Sequence, residues 1–238
     1  MPLSTRWNQQ NNKVIILSET TDEPLTFSGN LCGVCWGADT SDHIKNFKRG
    51  LECLRSGHGR VLEYPQIYMI LDGWSAKVIR EFYTHIIDVT RLQASTRYID
   101  YKDFEYIVPP SIENNEEAKK IYNQTINNIK EGLNKLNELN IPKEDSSGLL
   151  PLNYSTKVVV RIGLRELINM SEQRMCSRAY HEYRDLMSEI LSALSVYSDE
   201  WKYLIEEEKI FAPKCQKLGY CPEKNSCGRK PKREVTDK

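Results

Sequence analysis

Five consecutive apolar residues, Ile67-Tyr68-Met69-Ile70-Leu71, form the segment of this chain that is hardest to leave in water. A run that is apolar on both faces reads as a buried strand rather than an amphipathic element. Around it the spacing changes. Asp42–Arg55 places Ile44, Phe47, Leu51 and Leu54 at helical intervals, and "WSAKVIREFYTH" resumes a helical pattern after the run. Val14–Leu17 is a short β-rich stretch. Further on, Glu113–Leu139 predicts a solvated outer helix with Ala118, Tyr122, Ile126, Ile129, Leu133 and Leu136 on one stripe, stopped by "NIPKEDSSGLLP" at Pro142. A second helical pattern covers Lys157–Val196, with apolar positions from Leu164 and Leu167 to Ile190 and Leu194. At 238 residues the chain can bury one large core, so 1–212 is expected to be one domain and 213–238 a Cys-containing, basic tail. The end of that tail, "GRKPKREVTDK", reads as disordered.

Charge narrows the function classes. The 33 basic and 33 acidic side chains cancel, so no long-range field draws the molecule to nucleic acid or an anionic membrane. An anionic ligand must be held by a local cluster. The opening "MPLSTRWNQQNNK" lacks the apolar core of a signal peptide, and no run reaches the ~18 apolar residues of a membrane span. A cytoplasmic enzyme or binding protein fits, with no membrane and no nucleic acid among its partners. In that compartment seven cysteines are reduced, metal-bound or packed rather than disulfide-bonded. Cys32 and Cys35 make "CGVC", whereas Cys215, Cys221 and Cys227 lack the paired short spacing of a zinc ribbon, so no metal site is assigned.

Two stretches gather chemistry. "RLQASTRYIDY", Arg91–Tyr101, alternates guanidinium, hydroxyl and aromatic groups, which suits either an anion and base site or an amphipathic strand edge. "RIGLRELINMSEQRMCSRAYHEYRDL" carries five arginines and four acids. That could be an ion-pair lattice on a helix face. Arg165 and Asn169 share a face, while Arg174 points about 140° away at about 100° per residue. If both arginines are ligands, they serve different groups or different subunits. Cys176, two residues after Arg174, is best read as a packed helix thiol.

Three stretches in order resemble the flavin-dependent thymidylate synthases. "GHGRVLEYP" is similar to the family's Gly-His-x-Ser/Thr-x-x-Glu-His, carried by His58, Arg60, Glu63 and Tyr64. "REFYTH…QASTRY" is similar to its arginine–histidine–arginine signature followed by Ser-x-Arg-Tyr. "GLRELIN…QRMCSRAYHEYR" is similar to its Asn-x-Arg-x-Leu-x-Asn helix and downstream arginine. The resemblance implies an α+β fold, a single domain with a central β-sheet and long packed helices. It implies FAD as cofactor, NADPH and 5,10-methylenetetrahydrofolate as co-substrates, and methylation of dUMP to dTMP. Gln93, Ser95, Thr96, Arg97 and Arg174 would hold dUMP, with Arg174 the catalytic residue. His58, Arg60, His85, Gln93, Arg165 and Asn169 would hold FAD. A homotetramer with shared sites is also implied, and no Gly-rich Rossmann fingerprint is present.

The chain departs from that pattern at several places. Thr84 and Ile86 replace the arginines flanking His85, Ser147 replaces a mid-chain arginine, Gly163 replaces the asparagine opening the helix, and Tyr180 replaces a glutamine. Arg60 and Arg91 are new arginines near the losses and could restore positive charge at the phosphates. These departures keep a second product open, a hydroxymethylated pyrimidine nucleotide. From another class, the cysteine-rich end and "GRKPKRE" could make a small nucleic-acid-binding module, which the zero net charge opposes.

Overall fold

A computed structural model describes residues 13–233. In chain order the elements are β1 (Val14–Ile16), α1 (Pro24–Cys35), α2 (His43–Arg55), a 3-10 turn (Gly59–Glu63), β2 (Gln66–Ser75), α3 (Ala76–Phe82), β3 (Val89–Gln93), α4 (Pro110–Glu113), α5 (Glu116–Glu138) and α6 (Lys143–Ser146). After a 3-10 turn at Ser147–Leu149 come β4 (Ser155–Gly163), α7 (Leu164–Arg174), α8 (His181–Tyr197), α9 (Asp199–Glu206) and α10 (Lys214–Leu218). The fold class is thus α+β, as expected. One sheet has the order β1-β2-β4-β3. Its ladders are antiparallel: Leu17 pairs with Tyr68 and Thr21 with Gln66, while Ala94 pairs with Lys157 and Asp88 with Gly163. Among the described residues no helix is long and apolar enough to cross a membrane.

Contacts divide the chain into two units. The first takes in the described residues up to Ile70, His85–Thr90 and the described residues from Val160; the second takes in Leu71–Thr84 and Arg91–Val159. In the first unit α1 and α2 touch backbone to backbone. A Cβ at Gly29 would lie 1.8 Å from the Asn46 carbonyl oxygen, and one at Gly50 would lie 1.9 Å from that of Leu25. The expected helix over Asp42–Arg55 is α2, and this crossing sets what it buries: its fully buried residues are Asn46, Gly50 and Cys53, Phe47, Leu51 and Leu54 are half-buried, and Ile44 is 65 % exposed. Close backbone approach selected small residues for the contact, and the apolar stripe was left to the side. Nearby, the buried Cys53 and Cys32 thiols meet at 3.4 Å, and burial pushes the Cys53 thiol up to about 11. "CGVC" is therefore split, with Cys32 packed and Cys35 exposed.

The N-terminus of α1 has no cap from its own chain neighbour Glu23. Instead the buried Glu200 of α9 accepts hydrogen bonds from Leu25 N at 2.7 Å and Thr26 N at 3.1 Å, and its other oxygen bonds the Thr26 hydroxyl. Trp201 beside it is fully buried and donates its indole N–H to the Thr21 carbonyl at 2.8 Å.

The second unit is organised on Phe104, Ile126, Leu133 and Tyr154, with Tyr101, Tyr106, Tyr122 and Ile129 packed against them. The expected outer helix is α5. It starts at Glu116 rather than Glu113 because the Asn115 side chain accepts from Ala118 N at 3.0 Å and so caps it there.

The largest correction concerns Lys157–Val196. Its opening is strand β4, where Thr156, Val158, Val160 and Ile162 are buried and the residues between them are not. That period of two, carried by β-branched residues, outweighs the helical spacing. A turn at 175–180 then separates α7 from α8. The basic end is ordered up to the last described residues: Cys221 N donates to the Pro231 carbonyl at 2.6 Å, and Cys221 bridges Lys232. The rest of that end, and the polar opening stretch before Lys13, lie outside the described residues.

Candidate active site

Helix α7 begins where β4 ends, at Gly163. A Cβ there would lie 1.8 Å from Asp88 Oδ2, so the asparagine that the resemblance expects has no room. Asp88 itself has a φ of 50° and is held by Arg161, whose Nη1 donates to Asp88 Oδ1 at 2.8 Å and to Gln66 Oε1 at 2.7 Å. An acidic side chain at this end of α7 also complements the helix dipole.

Along α7 a set of side chains meets His85, which follows α3. Glu166 and His85 are each 6 % exposed. Glu166 Oε1 lies 3.2 Å from His85 Nδ1, and Asn169 Nδ2 donates to Glu166 Oε2 at 3.2 Å. Arg174, eight residues or about 12 Å beyond Glu166 along the axis, donates its Nε–H to His85 Nε2 at 3.0 Å. The Arg174 guanidinium carbon stands 4.6 Å from the ring centre of the buried Tyr183. Arginine offers donors only, so His85 Nε2 accepts and the ring proton resides on Nδ1, directed at Glu166.

Arg165 has other neighbours. It pairs with Glu63, and a Cβ at Gly59 would lie 3.4 Å from its guanidinium. The first and third resembling stretches therefore meet in this unit. Glu63, Tyr64, Ile87, Asp88, Arg165, Glu166 and Asn169 line a cleft of ≈ 750 Å³. His58 and Arg60 are exposed on the adjoining turn, with His58 Nδ1 2.9 Å from Ser56 Oγ.

The other candidates belong to the second unit. Gln93 and Arg97 are exposed, and Ser95 and Thr96 half-buried. Ser95 Oγ accepts from Arg97 N at 3.1 Å, which folds the stretch into a turn. Arg97 Nε pairs with the exposed Glu144 at 2.7 Å. Arg91 lies over Tyr83, 4.5 Å from the ring centre, and its Nη1 is buried with no hydrogen-bond partner among the described residues.

Sequence reasoning missed Glu166 and Tyr183. The signal for Glu166 was present: it shares an inward stripe with Met170 and Arg174 at intervals of four, where a carboxylate needs a partner. Nothing local marks Tyr183, whose contact with Arg174 crosses the turn between α7 and α8. Cys176, Cys215, Cys221 and Cys227 line a separate cavity of ≈ 330 Å³, but among the described residues no three His, Cys, Asp or Glu side chains are arranged to hold a metal.

Comparison with known proteins bears directly on this arrangement. A family model described as "Thymidylate synthase complementing protein" matches residues 17–196. The flavin-dependent thymidylate synthase of Nitratidesulfovibrio vulgaris is 29 % identical over 84 % of this chain and 84 % of its own length. That of Pyrococcus horikoshii is 33 % identical over 72 % of this chain and 71 % of its own. A crystal structure of the Helicobacter pylori enzyme, complexed with FAD and dUMP, superposes with a TM-score of 0.65 at 23 % identity, covering 82 % of this chain and 98 % of that one. The chain belongs to the flavin-dependent thymidylate synthase family.

Proposed function

We propose that residues 1–212 carry a cytoplasmic enzyme that methylates dUMP to dTMP, with FAD as cofactor and NADPH and 5,10-methylenetetrahydrofolate as co-substrates, working as a homotetramer with shared sites. The observation that carries this reading is a guanidinium, Arg174, held in its plane by His85 and across its face by Tyr183 in a chain of this family.

The first unit's cleft suits FAD. Its Glu63 and Asp88 carboxylates are already tied to Arg165 and Arg161, which removes much of their repulsion for a diphosphate. Its volume falls within the range of cofactor sites. Arg165 and Asn169 would hold the cofactor, with His58, Arg60, His85 and Gln93 completing the set. Bound flavin supplies the hydride that completes the methyl group.

The chain's own residues do the rest. C5 of a uracil ring is a weak nucleophile, and a fixed guanidinium at the N3–O4 edge stabilises the charge that develops there as C5 attacks. That is the role of Arg174. Gln93, Ser95, Thr96 and Arg97 bind the 5′-phosphate with amide, hydroxyl and guanidinium donors. Arg97's ion pair with Glu144 is exposed on both sides, so a phosphate can replace it at little cost. Arg91, whose buried Nη1 has no hydrogen-bond partner among the described residues, supports the same phosphate in place of the arginines absent at Thr84, Ile86 and Ser147. Arg91→Ala should weaken dUMP or FAD binding about tenfold, and unchanged affinity for both would remove Arg91 from the site.

The deciding experiment is incubation of the purified yellow protein with C5-tritiated dUMP and the co-substrates, followed by mass identification of the product. Tritium release with dTMP supports the reading. A hydroxymethylated nucleotide would assign the second product, and a colourless protein that ignores dUMP would overturn the reading.

A further inference from the structure

We propose that Glu166 is a positioning residue which, through His85, sets the orientation of Arg174 toward the pyrimidine edge. The proposal rests on the role given to Arg174 above.

Three observations converge on it. First, the carboxylate is buried on an inward stripe one turn from the fully buried Met170, with Leu164 and Leu167, also fully buried and apolar, on the adjoining surface of α7. An apolar residue at 166 would pack there without the desolvation penalty of an ionised group, so stability alone gives no reason for a carboxylate. Second, each Glu166 oxygen accepts from its own donor. Oε1 takes the His85 Nδ1 proton at 3.2 Å, and Oε2 takes the Asn169 amide at 3.2 Å. Third, Arg174 donates into the opposite ring nitrogen, His85 Nε2, at 3.0 Å.

The imidazole is thus selected as one tautomer from both sides. Without the carboxylate, its proton is free to move to Nε2, where it would face the Arg174 Nε–H with another N–H. The two donors would repel, and the guanidinium would turn away from its place over Tyr183. Glu166 makes this failure costly and so helps hold Arg174 in the orientation set by its hydrogen bond at Nε and its place over the Tyr183 ring.

The effect is local to the pyrimidine edge, and that separates positioning from general stability. A ligand that shares the phosphate and sugar of dUMP but has no base, 2-deoxyribose 5-phosphate, does not use Arg174. Glu166→Ala and the near-isosteric Glu166→Gln would be prepared with FAD bound. Affinities for dUMP and for 2-deoxyribose 5-phosphate would be measured by calorimetry, alongside kcat and KM for dTMP formation and the thermal midpoint.

We expect Glu166→Ala to bind dUMP about tenfold more weakly and to lose about tenfold or more in kcat, with 2-deoxyribose 5-phosphate bound within about twofold of the unaltered enzyme. Glu166→Gln keeps one acceptor oxygen and should lie between, with a thermal midpoint near that of the parent. Equal weakening of both ligands in Glu166→Gln would show a structural role only and overturn the proposal. So would retention of full dUMP affinity and kcat in either variant. An unaltered enzyme that neither binds nor converts dUMP overturns the functional reading itself, and the positioning role with it.

Discussion

In the first unit His85 and Glu166 are buried and hydrogen-bonded to each other and to Arg174 or Asn169, whereas in the second unit Arg97 stands exposed with an exposed partner, Glu144. The difference is one of commitment. A carboxylate taken out of water must keep its partners, because leaving it alone costs several kcal/mol. An ion pair that stays in water is worth about 0–1 kcal/mol and exchanges freely. The buried set is suited to holding one group in one orientation, which is what transition-state stabilisation requires. The exposed set is suited to accepting an anion that arrives and leaves.

That contrast can be tested, beginning with the largest effect. Arg174→Ala should lower kcat/KM for dUMP about 10²–10³-fold while the far-ultraviolet spectrum stays unchanged. Arg174→Lys should not restore it, since a lysine lacks both the Nε donor and the planar face that meets Tyr183. A lysine enzyme of normal rate would break the case for a built orientation.

Glu200→Ala extends the contrast to stability. It leaves Leu25 N and Thr26 N without the acceptor that caps α1, and should cost about 2–3 kcal/mol in a denaturant titration. The matching change in exposed surroundings, Glu144→Gln, should stay within about 0.5 kcal/mol. Similar losses in both would mean that burial does not distinguish these carboxylates.

Arg97→Ala should raise the KM for dUMP about tenfold with kcat within about twofold, because a phosphate contact is made equally in the ground and transition states. A parallel fall in kcat would place Arg97 among the orienting groups instead. The smallest effect concerns thiols. The Ser177 side chain and the Arg229 backbone hydrogen-bond to Cys227 and hold its thiol below the usual range. At neutral pH a larger share of it is thiolate, so iodoacetamide should label Cys227 a few-fold faster than it labels free cysteine in solution. The gap should close above about pH 9.5, where an ordinary thiol is also ionised. Equal labelling at about pH 7 would remove that electrostatic distinction.

Much of the architecture was legible in the order of residues. The continuous run at Ile67–Leu71 falls in β2, the stripe on α5 packs as its spacing requires, and the three resembling stretches pointed to the family that the comparisons show. The failures were also physical. Val158, Val160 and Ile162 alternate with a period of two that runs directly into the helical spacing begun at Leu164, and pairing in the sheet made the first part a strand. The buried side of α2 was hidden because Gly50 contributes backbone contact rather than apolar surface. Gly163 looked like a missing asparagine, yet the Asp88 carboxylate occupies the space that side chain would need.

By itself the sequence determined the residue inventory: periodic apolar stripes, balanced charge, and arginines, a histidine and hydroxyls in a recognisable order. These are local properties, and their periods survive in any fold the chain adopts. Only the tertiary structure decided which ring nitrogen of His85 meets Arg174, that Glu166 is its counterpart, and that Tyr183 lies across the guanidinium. Such contacts join residues far apart in the chain or across a turn, and hydrogen-bond direction depends on angles and distances that no one-dimensional pattern encodes.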